Sequence, residues 1–349
     1  MVRENIFAML SKIKSRLWSK IVVKFRYTSF YPFLYNSYWH YKLNKNNVFN
    51  LTDSNYYSAI PNRGAGVGHQ LANWNAGYWY AHYFGLKFSH TPFSTKSWED
   101  FLGFGEDEVQ TELLLNTKGY TAVRLPLFDE NKREEIELTK RIIHSYKNKK
   151  VVFIAEQDQF YKEQFGVCDA IKKKFYAALA REKNQLVYDE NVYNVAIHIR
   201  RGDITIGQKK GNTNHIMRWQ DNNYFEHVLN NVLKHINTDK EVKIYLFSQG
   251  NLNDFKSFIG YKNLTFCLDM SGQDSFLHMV YADLLITSKS SFSYKPALLN
   301  NGIKVCPRDF WHSYPSEKDW IIAEEDGTFN SEQIKKLDEY YTGKHTQKL

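Results

Sequence analysis

Residues 194–204 read NVAIHIRRGDI, an apolar run that passes directly into two arginines. Its apolar half alternates three β-branched residues with Ala196 and His198. Such a continuous run is typical of a strand that is buried on both faces of a parallel sheet. Arg200 and Arg201 follow without a break. Because ligands of open α/β sheets bind beyond the carboxyl ends of the strands, the two adjacent guanidinium groups predict an anion site.

Strands and helices are predicted to alternate on both sides of this stretch. The second half of the chain shows the pattern clearly, with apolar strand segments at 243–248, 263–268, 283–288 and 302–307. This alternation is typical of parallel sheets with right-handed crossovers, so we predict an α/β protein with two Rossmann-like domains that face a cleft. The predicted divisions are an N-terminal arm at 1–50, an acceptor-side domain at 51–187, a donor-binding domain at 188–325 and a tail at 326–349.

The charge of the chain is concentrated at its N-terminus. Residues 1–45 contain nine basic residues and one acid, so they carry the whole net charge of +8 of the 349-residue chain. The neutral body argues against a nucleic-acid-binding domain, which would show its basic excess on the folded surface. The three cysteines are too far apart in sequence for a disulfide framework or a zinc motif.

The N-terminal arm combines basic residues with the aromatic stretch YTSFYPFLYNSYWHY at 27–41. This combination suits an anionic membrane surface, and the alternative is an arm that packs over the first domain. Neither a run of about 20 apolar residues nor a signal-peptide cleavage site is evident. We therefore expect a cytoplasmic protein that is peripheral on the membrane.

Two further segments have the chemistry of phosphate sites. Ser290 or Ser291 stands where the N-cap of a helix belongs, directly after an apolar strand, and helix N-termini bind phosphate. The loop RGAGVGHQ at 63–70 has glycines at alternate positions, which do not match the dinucleotide fingerprint, and no acid for a ribose stands about 20 residues on. The loop indicates either close backbone approach to a ligand or a plain tight turn.

The chain has no Asp-x-Asp element that would hold a divalent cation on a nucleotide sugar. No metal or other cofactor is therefore expected, and cationic side chains and helix amides would have to meet the phosphates.

Three segments together resemble a known family. HIRRGD at 198–203 resembles the His-x-Arg-Arg-x-Asp motif of the α-1,2-, α-1,6- and protein O-fucosyltransferases. GAGVGHQL at 64–71 resembles their glycine-rich segment, and residues 274–298 resemble their block with a Ser-Ser-Phe-Ser-like element. The resemblance spans about residues 60–312. It implies a GT-B architecture, GDP-β-L-fucose as donor, a glycan acceptor, inversion at the anomeric carbon and no metal requirement.

The resemblance also implies roles for individual residues. Arg200 would bind the β-phosphate and stabilise the departing GDP, His198 would contact the donor, and Asp274 would receive the guanine. Arg201 would either contribute to phosphate binding or pair with Asp203. The remaining donor contacts would come from two groups, the serines Ser290, Ser291 and Ser293 and the glycine-loop residues Gly66, Gly68 and His69.

The general base is not assigned by the resemblance. The α-1,6 members carry a glutamate ten residues after the histidine, and this chain has Gln208 at that position. Asp203 is a candidate base, and the alternative is that charge developing on GDP drives an oxocarbenium-like transition state. Two other functions stay open, a transferase for another GDP-sugar and a catalytically silent glycan-binding protein of the same fold.

Overall fold

The computed structural model describes residues 17–18, 20–44, 55–62, 64–155, 161–268 and 270–337. The chain divides into two compact units, each assembled from separate segments. Unit 1 comprises Met1–Asn62, Asn73–Thr91 and Glu108–Tyr161, and unit 2 comprises Arg63–Ala72, Pro92–Asp107 and Lys162–Leu349. These units are defined by contacts between residues and each combines separate stretches of the chain. They therefore do not test the domain boundaries predicted from the sequence, which stay predictions.

The described part of unit 1 holds a four-stranded parallel sheet with the order β2-β1-β4-β3. The strand order reverses between β1 and β4: β2 lies on one side of β1, and β4 and β3 lie on the other. The strands are β1 (Tyr56–Ala59), β2 (Lys87–Phe88), β3 (Thr121–Arg124) and β4 (Val151–Ala155). The helices before β4 include α1 (Asn36–Leu43), α2 (Val67–Tyr83), α3 (Lys96–Leu102), α4 (Thr111–Asn116) and α5 (Arg133–His144).

Unit 2 holds a six-stranded parallel sheet with the order β10-β9-β8-β5-β6-β7. This is the doubly wound Rossmann order, and it reverses between β5 and β8. The strands are β5 (Tyr193–His198), β6 (Val242–Phe247), β7 (Leu264–Cys267), β8 (Leu284–Ile286), β9 (Ile303–Pro307) and β10 (Trp320–Ala323). The helices are α6 (Cys168–Ala177), α7 (Asp203–Lys209), α8 (Thr213–Ile216), α9 (Asn222–His235), α10 (Gly272–Tyr281) and α11 (Ser291–Leu299).

The core of unit 2 explains why β5 has its unbroken apolar sequence. Val195 and Ile197 are fully buried and belong to one hydrophobic cluster with α9 residues such as Phe225 and Val228. Helices therefore cover the strand, as expected for a central strand of a parallel sheet. The predicted α/β class with two Rossmann-like parallel-sheet units is confirmed.

Part of the N-terminal arm packs on unit 1. Arg26 Nη2 lies 3.0 Å from Glu135 Oε2 on α5, and Ser37 Oγ donates to the carbonyl of Arg124 at 2.6 Å. Tyr31 is buried, and its hydroxyl accepts from the Leu127 amide at 2.9 Å. The arm is thus a packing element over these residues, while residues 1–16 and 45–50 lie outside the described ranges. Within those ranges, no helix has the length and apolar character needed to cross a membrane.

Candidate functional site

The carboxyl ends of β5 and β8 lie side by side where the strand order of unit 2 reverses. Crevices at such points hold the ligands of doubly wound sheets. His198 ends β5, and its Nδ1 lies 2.9 Å from the Oγ of Ser288, two residues past the end of β8. This hydrogen bond ties the two strand ends together.

His198 is a buried, neutral member of the site. Its side chain is 5% exposed, and its ring packs 5.4 Å from the ring of Phe292. Burial, followed by the charges of Arg200 and Arg201, lowers the pKa of His198 to about 3. Near neutral pH the imidazole is therefore neutral and holds its hydrogen bond to Ser288.

The two arginines that follow β5 have different surroundings. The Arg200 side chain is 27% exposed, and its Nη2 donates to Asp203 Oδ1 at 2.5 Å. Arg201 is buried, donates to Asn222 Oδ1 at 2.6 Å and stacks on the Trp219 ring at 4.2 Å. The alternative in which Arg201 pairs with Asp203 is wrong, because Asp203 pairs with Arg200.

The local backbone explains why the arginines diverge. The strand ends at His198, so the alternation of side chains along it stops before Arg200. Gly202 then takes φ +70°, a left-handed conformation that favours glycine, and the chain turns into α7. Asp203 is the first residue of α7, where a carboxylate is stabilised by the helix dipole.

The serine segment forms the start of α11. Ser290 is the N-cap, and its side chain accepts from the Phe292 amide at 3.2 Å. Ser291 opens the helix. Ser293 is fully buried, where its hydroxyl accepts from the Ser288 amide at 3.2 Å and also contacts the Ser290 carbonyl at 3.3 Å. The structure thus places Ser290 and Ser291 at the helix start and uses Ser293 to hold the turn.

The glycine loop contacts the same helix start. Gly68 lies in the first turn of α2, and a Cβ on it would lie 2.8 Å from the carbonyl carbon of Ser291, so the start of α2 approaches α11 as closely as glycine allows. A Cβ on Gly66 would meet nothing within 4 Å. His69 is exposed. Burial, followed by the charges of Lys295 and His69, lowers the pKa of His312 to about 2. The close approach seen here is to Ser291 of the protein itself, so the predicted approach of the glycine segment to a ligand stays a prediction.

Asp274 lies in the first turn of α10. Its Oδ2 accepts from the Ser271 hydroxyl at 2.7 Å, and its amide donates back to Ser271 Oγ at 3.1 Å. The residue is exposed. Because α10 follows β7 in a parallel sheet, its start lies at the same carboxyl edge as Arg200 and Ser290.

Three residues of this edge were missed by sequence reasoning: Arg218, Trp219 and Gln220. Trp219 holds Arg201, and Gln220 Oε1 accepts from the Lys289 amide at 2.8 Å. Arg218 is half-buried, with its guanidinium 4.7 Å from the Trp311 ring centre. Residues 218–220 lie outside the strands, so hydrophobic periodicity does not detect them. The only local sequence feature that indicates them is the adjacent Arg-Trp pair.

The edge as a whole presents the partly exposed guanidinium of Arg200, a helix N-terminus with its serine cap and the glycine segment packed against it. These groups suit an anion with several oxygen atoms. In the parts of the chain that the structure describes, no group of three or more His, Cys, Asp or Glu side chains is arranged to hold a metal ion. That the activity needs no metal stays a prediction.

No protein-family model and no curated protein matches the chain. Solved structures similar to it include the fucosyltransferase NodZ from Bradyrhizobium, with 12% identity and a TM-score of 0.41 over 80% of this chain and 98% of that chain. E. coli heptosyltransferase WaaC with ADP has 11% identity and a TM-score of 0.40 over 84% and 99%. A mutant of Arabidopsis thaliana FUT1 in complex with GDP has 8% identity and a TM-score of 0.38 over 84% and 78%. At these values the likeness does not identify a donor, an acceptor or a linkage.

Proposed function

We propose that this chain is an inverting, metal-independent fucosyltransferase of GT-B architecture. It would move L-fucose from GDP-β-L-fucose to a glycan hydroxyl and form an α-1,2 or α-1,6 linkage. One observation carries the proposal: the three segments that bear the family resemblance meet in unit 2, where Ser288 contacts His198 and Ser291 packs against Gly68. The proposal therefore rests on residues of this chain alone.

Arg200 would meet the departing diphosphate. Negative charge grows on the GDP oxygen as the glycosidic bond breaks, and a preorganised donor aimed at that charge contributes about 3–4 kcal/mol. The start of α11, with Ser290 and Ser291, would receive the second phosphate group. The acceptor oxygen attacks the anomeric carbon from the opposite face, which inverts its configuration, and its proton passes to Asp203 or to water.

Asp274 would recognise the guanine. A carboxylate accepts hydrogen bonds from the N1–H and N2–H of guanine, a pair of donors that adenine and uracil do not have. One oxygen of Asp274 is held by Ser271, which fixes the orientation of the carboxylate at the start of α10. Asp274→Asn should therefore weaken GDP binding far more than acceptor binding.

The test is a calorimetric titration with GDP-fucose, GDP-mannose and UDP-galactose, followed by transfer assays on a glycan-acceptor panel with and without EDTA. We expect binding of both GDP-sugars but not of UDP-galactose, and fucose transfer that EDTA does not change. Preferred transfer of mannose would indicate another GDP-sugar as donor. Donor binding with neither transfer nor hydrolysis would indicate a catalytically silent glycan-binding protein. An absolute need for Mn²⁺ or Mg²⁺ would contradict the GT-B proposal.

We also propose that the arm binds an anionic membrane surface. Tyr27 and Phe30 are 88% and 67% exposed, and the exposed side chains of Lys20 and Lys24 stand close by in sequence. Apolar rings and basic groups together bind anionic bilayers, and each basic residue contributes about 1 kcal/mol near the surface.

Truncation of the arm would remove Tyr31 and Tyr35, which are buried, so surface substitutions give the cleaner membrane test. The full chain should sediment with phosphatidylserine vesicles, and salt should release it, because the attraction is screened. The double variant Lys20→Glu, Lys24→Glu should stay in solution with unchanged thermal stability. Equal sedimentation of both proteins, or no sedimentation of either, would end the membrane proposal.

A further inference from the structure

The segment between β5 and α9 leaves the sheet and returns so that its two ends are in contact. It leaves the strand end at Arg201 and returns at Trp219, whose ring stacks on the Arg201 guanidinium at 4.2 Å. Arg201 also donates to Asn222 Oδ1 at 2.6 Å. Since Arg200 and Arg218 are the sequence neighbours of this stacked pair, the closure brings them to the same place.

A second contact fixes where the returning segment lies. Gln220 Oε1 accepts from the Lys289 amide at 2.8 Å, so residues 218–220 run between the end of β5 and the loop after β8. This is the crevice at the reversal of strand order, where His198 and Ser288 meet. Arg218 therefore belongs to the same edge as Arg200 by position in the fold.

The guanidinium of Arg218 has no hydrogen-bond acceptor among the described residues. It is half-buried and lies over the Trp311 ring at 4.7 Å. Burial and the nearby charge of Arg200 lower the pKa of Arg218, whereas Asp203 raises it. Asp203 pairs with Arg200 and not with Arg218, which leaves an excess of positive charge at the crevice.

Other cations of this edge are already paired. Lys289 Nζ lies 2.6 Å from Glu325 Oε1, and Arg308 Nη2 lies 2.6 Å from Glu324 Oε1. Arg201 has its donors directed to protein groups. Arg218 differs from all three because its five N–H donors are directed to no protein oxygen in the described ranges.

We propose that Arg218 and Arg200 together form a two-arginine clamp for a diphosphate, while Arg201 serves to close the loop. A planar guanidinium binds phosphate oxygens in pairs, and two of them match the two phosphate groups of the ligand. Trp311 holds the Arg218 plane in place. The inference rests on the proposed function only in taking that diphosphate to be part of GDP.

The test is a calorimetric titration of inorganic pyrophosphate and of GDP into the full chain and its variants. Arg218→Gln should weaken the binding of both probes by about 10- to 100-fold, the loss expected for one charge-assisted anchor. Arg218→Lys, which keeps the charge but loses the planar fork, should show a smaller loss. Arg308→Gln is the matched control, an arginine of the same unit that is paired with Glu324, and it should bind both probes as the wild type does.

The outcomes separate this inference from the proposed function. A folded Arg218→Gln protein with wild-type affinity for pyrophosphate and GDP overturns the clamp and leaves the fucosyltransferase proposal standing. A wild-type protein that binds pyrophosphate but not GDP, with the loss in Arg218→Gln, supports the clamp and overturns the proposed donor. If Arg218→Gln and Arg218→Lys both fail to fold by circular dichroism, Arg218 is a structural residue and the clamp is wrong.

Discussion

Both sheets are parallel and each reverses its strand order beside its first strand, yet the strand ends there differ in chemistry. In unit 1, Ser58 Oγ lies 2.9 Å from Thr111 Oγ1, and Thr111 in turn donates to Ser89 Oγ at 3.0 Å. These hydroxyls are buried and satisfy one another. In unit 2, the corresponding end of β5 carries Arg200, which is partly exposed. A strand end beside the reversal of order thus serves packing in one unit and presents a charge in the other, so the function must be argued from the side chains.

The largest effect is expected at Arg200, and it tests the contrast between the strand ends of the two units. Arg200→Lys should lower turnover about 100- to 1,000-fold, because an ammonium group does not reproduce a planar, bidentate donor aimed at developing charge. Its melting temperature should stay within about 1 °C, since an exposed ion pair contributes little to stability. Steady-state transfer kinetics and a thermal melt measure both quantities.

Ser58→Ala is the matched change in unit 1. It should leave turnover unchanged and lower the free energy of unfolding by about 1 kcal/mol through the lost hydroxyl network. Near-normal turnover in Arg200→Lys, or a large loss of turnover in Ser58→Ala, would show that the contrast between the strand ends has been misread.

The next effect separates the adjacent arginines. Arg201→Ala should lower the free energy of unfolding by about 3 kcal/mol, because it removes a buried guanidinium and leaves Asn222 and Trp219 without their partner. Arg200→Ala should cost less than about 1 kcal/mol. Urea unfolding measures both. Equal losses would mean that Arg200, like Arg201, has a structural role.

The glycine loop offers a third, smaller contrast. Gly68→Ala should cost about 1–3 kcal/mol, since its Cβ would collide with Ser291 and one of the two backbones must shift. Gly66→Ala meets open space and should stay within about 0.5 kcal/mol of the wild type. If a donor approaches the loop there, Gly66→Ala should still weaken GDP binding. A stable Gly68→Ala protein would contradict the contact.

The sequence predicted the elements whose residues are dictated locally. The central strands β5, β6 and β8 are rich in apolar and β-branched residues, and Ser290 has the chemistry of an N-cap, so pattern alone located them. β2 has only two residues and β3 is largely exposed, so neither has an apolar pattern to find.

The roles of the site residues depend on contacts that no local pattern contains. Alternation stops at His198, so it could not separate Arg200 from Arg201. Arg218 reaches the edge only because Arg201 and Trp219 stack and close the loop between them. This contact depends on packing between residues that are distant in sequence, so the motif at 198–203 does not predict it.

The pH dependence of stability tests the buried half of the site. In the folded protein the pKa of His198 is about 3 instead of 6.5, so between these values the unfolded chain binds a proton that the native state does not. Stability should therefore fall as the pH drops from 6.5 towards 3, by up to about 1.4 kcal/mol per pH unit from this residue. His198→Asn keeps a polar group near Ser288 and should flatten the unfolding free energy against pH by that amount. Parallel curves would mean that His198 is not buried in its neutral form.

The smallest expected effect concerns Asp203, whose two roles predict opposite signs. If Asp203 is the counter-ion of Arg200 in the empty site, an arriving diphosphate must displace it, and Asp203→Asn should tighten GDP binding about three- to fivefold, the strength of one partly exposed ion pair. If it is the general base, turnover should fall at least about 100-fold while GDP affinity changes little. Calorimetry and single-turnover transfer on the same preparation separate the two, with Asp274→Asn as the carboxylate control at the guanine end. The 2.5 Å contact to Arg200 favours the counter-ion, because the carboxylate is already engaged by the guanidinium. Weaker GDP binding by Asp203→Asn would contradict that assignment and would mean that the carboxylate orients Arg200 towards the ligand.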